Sequence, residues 1–411
     1  MQKYNLVIFW YQNDWGYYYR RNEALTRQFS TYTEIQKVIH IEPPSSLITV
    51  GKLLFKYFFR KDKSLQKIDL LHLKKLLSLG PIMINNKLYI FTPLVVFLDS
   101  IAQKWTFAKK MNEWLVKNQL NSILRSLDHS METLILFYPP QQYTELIFLQ
   151  AEHFKVKVFI DLVDDHLYNS KFSGVSDFKH EQIKSSYSIS VQKASKIFSV
   201  AKDMSEKYSK LFNRKIIYIP NGVDEHQSKN IAINNIPREQ NYPKKIVFVG
   251  NIGYPLDLNI AKKIFNDFKE NKFIFVGPIS KKVRKNWSKF QKQFSNVLLL
   301  GPMIHCDAVK FMENADVLIH FNDPSQVAGF DSMKIYEYLI TGKPIVTTPV
   351  SPSNKFADLV YIANNPKEFS RKLKQALLES DLALKRKRRD IARTHSWAII
   401  AREIWKEMIS S

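Results

Sequence analysis

Short apolar runs alternate with longer stretches in which apolar residues return every three or four positions. Residues 6–10, 133–138, 156–160, 196–200 and 216–219 have the length and the β-branched and aromatic content of buried strands. The stretches between them, including 20–29 and 181–194, carry the period of helices packed by one face. After Asn221-Gly222-Val223-Asp224 the pattern lapses: residues 225–244 are polar, hold Pro237 and Pro243, and read as a linker. It restarts with a strand at 246–249, a helix from about Leu258, and strands at 273–276, 297–300, 317–320, 344–347 and 359–362. The expectation is an α/β chain of two Rossmann-like, doubly wound domains, residues 1–224 and 245–394, facing across a cleft, with a helix over 395–411 that crosses back to the first. Parallel sheets of this kind hold ligands outside the carboxyl ends of their strands.

At 411 residues the chain is long enough for two cores, and 45% hydrophobic content with 13% aromatics excludes a largely disordered protein. Cys306 is the only cysteine, so no internal disulfide forms and a cytoplasmic location is the default. The first ten residues have one basic side chain and too short an apolar run for a signal peptide. The most apolar stretch elsewhere, 90–101, contains Pro93 and Asp99 and falls short of the roughly 20 residues that a spanning helix needs.

Charge changes this picture. The chain has 61 basic and 38 acidic residues, a net of +23, and residues 51–125 alone hold 14 Lys and Arg against 4 acids. Interleaved with those lysines are Leu53, Leu54, Phe55, Tyr57, Phe58, Phe59, Trp105, Phe107, Met111, Trp114 and Leu115. Exposed, such a mixture suits an anionic membrane surface or another polyanion; buried, its apolar members are core and its lysines a solvated rim. A second basic run, Lys385-Arg-Lys-Arg-Arg389, reads either as a polyanion site or as the wet face of a tail helix.

The richest segment for chemistry is 329–348, Gly-Phe-Asp-Ser-Met-Lys-Ile-Tyr-Glu-Tyr-Leu-Ile-Thr-Gly-Lys-Pro-Ile-Val-Thr-Thr. A helix starting near Ser332 and ending at Gly342 turns backbone N–H groups toward the residues before it, which suits a phosphate. Lys334 adds a full charge in the first turn, and Glu337 lies one turn on along the same face. A cation for a diphosphate beside a carboxylate for a ribose diol would receive a nucleotide sugar, although the same pair also fits an ordinary surface ion pair.

Taken together, Ile-Pro-Asn-Gly-Val-Asp at 219–224, Phe-Val-Gly at 248–250, Lys-Ile-Tyr-Glu-Tyr-Leu-Ile-Thr-Gly-Lys-Pro-Ile-Val at 334–346 and His395-Ser-Trp397 resemble bacterial GT-B glycosyltransferases. The resemblance is to the family-4-like group of capsule, exopolysaccharide and cell-wall glycan assembly, and is strongest over 196–350. It implies that Glu337 holds the donor ribose, that Lys334 lies by the donor diphosphate with Ser332 and Met333, and that the turn of Gly250, Asn251 and Gly253 lets the diphosphate approach the backbone. Many members carry a second acid eight residues before the ribose acid; here Gly329 stands there, and Asp331 has the wrong spacing to replace it. Ser332-Met333-Lys334 is also locally similar to xanthan-type glucuronosyltransferases, an inverting group, so retention and inversion both stay open.

An inverting transfer needs a general base for the acceptor hydroxyl. Asp164 is the first candidate and Asp165 the second, both after the strand that ends near Asp161; the competing reading is a helix N-cap with a first-turn acid. On the acceptor side the loop after the first strand offers Asp14 as a weaker base and Gly16 for close approach. Arg20 and Arg21 either steer a phosphorylated acceptor or are plain surface charges. No metal-ligand spacing stands out, so activity is expected without a divalent cation and with no cofactor. The expected partners are a nucleotide diphosphate sugar, UDP-linked, a glycan or lipid-linked glycan acceptor, and the anionic inner face of the plasma membrane, with nucleic acid disfavoured. A non-catalytic polyanion-binding scaffold and a GT-B sugar-nucleotide epimerase are the alternatives.

Overall fold

The computed structural model describes residues 2–59, 63–78, 80–102, 104–172, 176–225, 243–253, 256–326 and 331–410. Most of the expected linker over 225–244, and Gly329, lie outside them. The chain divides into a first unit, 1–219 with 400–411, and a second, 220–399.

The first unit opens with β1 (Tyr4–Phe9), α1 (Arg21–Phe29), β2 (Ile35–Ile41) and β3 (Ser45–Ser46). It continues through α2 (Leu47–Phe59), α3 (Lys63–Leu77), β4 (Ile82–Met83), β5 (Leu88–Phe91), β6 (Leu94–Val95), α4 (Asp99–Ala102) and α5 (Thr106–Arg125). Regular alternation follows: β7 (Glu132–Phe137), α6 (Thr144–His153), β8 (Lys157–Leu162), α7 (His166–Phe172), α8 (Asp177–Lys193), β9 (Lys196–Ser199), α9 (Lys202–Phe212) and β10 (Ile216–Tyr218). Eight strands form one sheet in the order β10-β9-β8-β7-β1-β2-β5-β4, parallel except for β4, while β3 and β6 pair separately. β1 is buried along its whole length, which is why it reads as a continuous apolar run and not as an alternation.

The second unit contains β11 (Lys245–Val249), α10 (Leu258–Asp267), β12 (Lys272–Val276), α11 (Arg284–Gln293), β13 (Val297–Gly301), α12 (His305–Glu313) and β14 (Val317–His320). After these come α13 (Met333–Thr341), β15 (Ile345–Thr347), β16 (Tyr361–Ile362), α14 (Pro366–Leu377) and α15 (Leu382–Arg393). The sheet is parallel throughout, in the order β13-β12-β11-β14-β15-β16. Strand alternation supplies two cores: Ile246, Phe248, Phe273 and Phe275 face one, and Val247, Val249, Ile274 and Val276 the other.

The last helix, α16 (Trp397–Ile409), belongs mainly to the first unit. Trp405 meets the ring of Tyr4 edge-on at 5.3 Å and lies against Phe29 and Tyr32, while Arg402 bonds Glu34 at 3.0 Å. The two motifs at 219–224 and 395–397 turn out to be each other's partners. The Val223 N–H donates to His395 O at 2.9 Å, and the Trp397 N–H donates back to Val223 O at 3.0 Å. A Cβ on Gly222 would stand 2.7 Å from that same His395 O, so the glycine is required by close backbone approach. Among the described residues no helix is long and apolar enough to cross a membrane.

In the basic run at 385–389, Arg388 and Arg389 are building elements of the second unit, while Arg386 and Lys387 are exposed. Arg388 is fully buried and holds Glu379 through two bonds of 2.5 and 2.6 Å, and Arg389 donates to Thr341 O at 3.0 Å. Two guanidinium groups thus satisfy carbonyls at the C-terminus of α13, where its dipole is negative.

Candidate active site

Three neighbouring strands of the second unit end on glycines in the left-handed half of backbone space: Gly250 after β11, Gly277 after β12 and Gly301 closing β13. Gly277 is also compelled by packing against backbone, while Gly250 faces the flexible end of a side chain. A Cβ on Gly277 would lie 1.9 Å from Gly250 O, and one on Gly250 would lie 1.9 Å from Lys334 Cε and 2.9 Å from its Nζ. The lysine of α13 therefore runs across the bare backbone at the carboxyl end of β11, where this class of sheet receives ligands. Of the rest of that turn, Asn251 is exposed and Gly253 is buried.

The N-terminus of α13 is held from behind. Ser332 is buried, its N–H donates to Ser351 O at 3.1 Å, and its hydroxyl does not cap the helix. Asp331 is spent on structure as well. It accepts from the Asn221 N–H at 2.8 Å and the Tyr336 hydroxyl at 3.2 Å, while its carbonyl takes the Asn221 amide at 2.7 Å. That removes it as a substitute for the acid missing at Gly329. Met333 and Lys334 are half-buried.

Glu337 makes an interaction that no spacing in the sequence announces. His305, the first residue of α12, brings Nε2 to 2.7 Å from Glu337 Oε1, with both side chains largely shielded. The histidine holds one carboxylate oxygen, which orients the group. Behind the pair, the Tyr338 hydroxyl accepts from the Val249 N–H at 2.9 Å and ties α13 to the end of β11. His320, closing β14, is completely buried, and Nε2 has no hydrogen-bond partner. Burial first and the Lys334 charge second push its pKa well below the usual histidine range, so it is neutral at pH 7.

In the first unit the acidic candidates separate sharply. Asp161 and Arg21 form a completely buried pair, with Nε to Oδ2 at 2.8 Å and Nη2 to Oδ1 at 3.3 Å. Arg21 therefore cannot steer an acceptor, which corrects that expectation. Asp165 is corrected likewise: it is buried and takes the Lys207 ammonium at 2.7 Å, the Tyr168 N–H at 2.9 Å and a short bond from the Tyr208 hydroxyl. A carboxylate so occupied caps α7 and, being buried, is closed to a substrate proton. Asp14 is mostly buried as well, holding the Trp10 indole at 2.8 Å and Arg20 at 3.0 Å. Burial outweighs the arginine and raises its pKa. Arg20 remains partly exposed, and Gly16, at φ +83°, donates its N–H to Glu23 at 2.8 Å.

Asp164 is different. Its side chain is 37% exposed, and Oδ2 accepts from the Tyr11 hydroxyl at 3.1 Å with His166 Nε2 at 3.9 Å. Tyr11 and His166 stack edge to face at 4.9 Å. His166 is held below its ordinary pKa by burial, only partly offset by Asp164 and Asp165. Tyr187 fixes the backbone by donating to Asp164 O at 2.7 Å. Among the described residues, no group of three or more His, Cys, Asp or Glu is placed to hold a metal ion.

Comparison with known proteins bears on the fold and the family. Residues 243–379 match the family described as glycosyl transferases group 1. Over 245 residues the chain is 26% identical to the putative teichuronic acid biosynthesis glycosyltransferase TuaH of Bacillus subtilis, a match spanning 56% of this chain and 61% of that protein. Among solved structures, sucrose-phosphate synthase of Thermosynechococcus elongatus superposes with a TM-score of 0.67 at 11% identity, covering 98% of both chains. HepE of Anabaena, solved in complex with UDP, superposes over the whole of both chains with a TM-score of 0.63 at 12% identity. With residues 243–379 similar to glycosyl transferases group 1, and with sheets that are parallel but for β4, the chain has the GT-B fold.

Proposed function

We infer that the protein is a glycosyltransferase that moves a hexose from a UDP-linked donor to a growing surface glycan, with lipid-linked acceptors included. The observation that carries this reading is the pairing of Lys334 against Gly250 with Glu337 against His305, on one helix at the carboxyl ends of parallel strands. In it, Glu337 accepts hydrogen bonds from the two ribose hydroxyls, and its second oxygen is kept in place by His305. Lys334 and the first turn of α13 offset the charge that gathers on the diphosphate as it leaves. The bond from the anomeric carbon to the diphosphate oxygen breaks, a bond to the acceptor oxygen forms, and for an inverting transfer the acceptor proton passes to Asp164. HepE, which shares the fold, has also been solved with UDP-glucose, and that supports a UDP-sugar as donor. The reaction is proposed to need no metal; full turnover in EDTA is expected, and loss of turnover restored by magnesium or manganese would contradict it.

Isothermal titration calorimetry with UDP tests the site. Glu337→Ala removes charged hydrogen-bond acceptors worth about 1.5–3 kcal/mol, so affinity should fall roughly tenfold to a hundredfold. Unchanged affinity would reject the assigned role. The polyanion-scaffold reading loses one support, because Arg388 and Arg389 are built into the second unit.

A further inference from the structure

α2 is apolar nearly all round, yet only one side is covered. Val50, Leu53 and Tyr57 pack on Leu73 and Leu76 of α3. Leu47, Ile48, Leu54, Phe55, Phe58 and Phe59 face solvent, the last two 71% and 72% exposed. Their spacing of three, four and seven residues makes one stripe along a helix of 13 residues, about 20 Å long. α5 repeats the arrangement. Ala108, Asn112, Val116 and Leu120 turn inward, while Phe107, Lys110, Trp114 and Lys117 share the exposed side.

The small β3–β6 pair brings the two stripes together. Ser46 stands opposite Val95 in parallel register, so the next residues, Leu47 and Val96, leave side by side, and both are exposed. Phe97 follows, its ring 6.4 Å from that of Phe107. A patch of this extent is unusual on a soluble surface and marks a contact.

Charge selects the occupant. Lys52 and Lys56 stand exposed among the phenylalanines of α2, and Lys104, Lys109, Lys110 and Lys117 surround the α5 stripe. A second copy of the chain would bring these ammonium groups against their own kind, whereas anionic lipid headgroups complement them while aromatic rings enter the boundary below. We propose that this face of α2 and α5 sits in the headgroup layer of an anionic bilayer without crossing it. The assignment rests on the exposed stripes and the lysines around them and stands apart from the glycosyl-transfer reading.

Flotation of the full chain with vesicles of phosphatidylglycerol and phosphatidylcholine, against phosphatidylcholine alone, tests it at low and high salt. Binding should need the anionic lipid and weaken with salt. Phe58→Ser with Phe59→Ser should lower it roughly a hundredfold or more, on the order of what two buried aromatic rings contribute. Lys52→Ala with Lys56→Ala should lower it roughly thirtyfold, about fivefold per lysine. Because all four side chains are exposed, both variants should keep the wild-type melting temperature. No flotation at low salt, equal binding to both vesicle types, or undiminished binding of the folded variants would overturn the proposal. So would a dimer in sedimentation equilibrium that the Phe58 and Phe59 changes dissolve while vesicles are ignored.

Discussion

Gly250→Ala is the most informative single change, because two physical effects act on it and can be separated. A backbone at φ +141° is nearly closed to residues with a Cβ, which costs on the order of 1–3 kcal/mol. The added methyl would also stand 1.9 Å from Lys334 Cε, far inside contact distance. That neighbour is a flexible side chain, so it moves, and the ammonium leaves the end of β11. The stability term should lower the melting temperature by about 2–4 °C per kcal/mol for a unit of this size. The displacement term should weaken UDP binding about tenfold, the scale of one charge-assisted bond. Calorimetry and thermal unfolding of Gly250→Ala, Lys334→Ala and the double variant divide the two. If the geometry is right, Lys334→Ala adds little further loss of affinity once Gly250 is alanine, whereas the stability loss persists in the double variant. Fully additive losses of affinity, or a Gly250→Ala protein with wild-type stability, would refute the reasoning.

Other outcomes follow from the same contacts. His305→Ala should weaken UDP binding by less than Glu337→Ala and add little to it in the double variant, since it acts through Glu337; calorimetry of the three proteins checks this. Asp161→Asn strands the buried Arg21 charge and should cost about 3–5 kcal/mol in urea unfolding of the first unit, whereas Asp164→Asn should leave stability near wild type and, for an inverting transfer, abolish turnover. Burial holds the His40 pKa down to about 3 and that of His72 to about 4. Unfolding frees both to titrate near 6.5, so protons are taken up on unfolding, and stability should be full above pH 6.5 and fall as pH drops toward 4. A melting temperature that stays level from pH 7 to pH 5 would contradict that assignment.

The sequence made the alternation of the second unit plain because each of its strands is short, apolar and ends on a glycine or a polar turn. β2 and β5 in the first unit escaped for opposite reasons. Ile35–Ile41 carries Gln36, Lys37 and His40, and the last of these is buried against Thr26 and Trp15 by tertiary packing that no local pattern reveals. Leu88–Phe91 is only four residues long. Lys334 and Glu337 were legible from helical spacing, but His305 was not, because it reaches Glu337 from 32 residues away. Asp161, Asp164 and Asp165 look alike in one dimension; only burial and partners divide a core ion pair and a helix cap from an accessible carboxylate. The exposed aromatics of α2 and α5 were equally ambiguous, since the same apolar period serves a core or a docking face.

The start of α13 is proposed to hold the donor nucleotide, and a crystal structure of the protein with UDP would show where the nucleotide lies. The ribose hydroxyls should lie within hydrogen-bond distance of Glu337, and the diphosphate should lie beside Lys334 and the bare backbone of Gly250. Density for UDP elsewhere, with Glu337 still bonded only to His305, would contradict it.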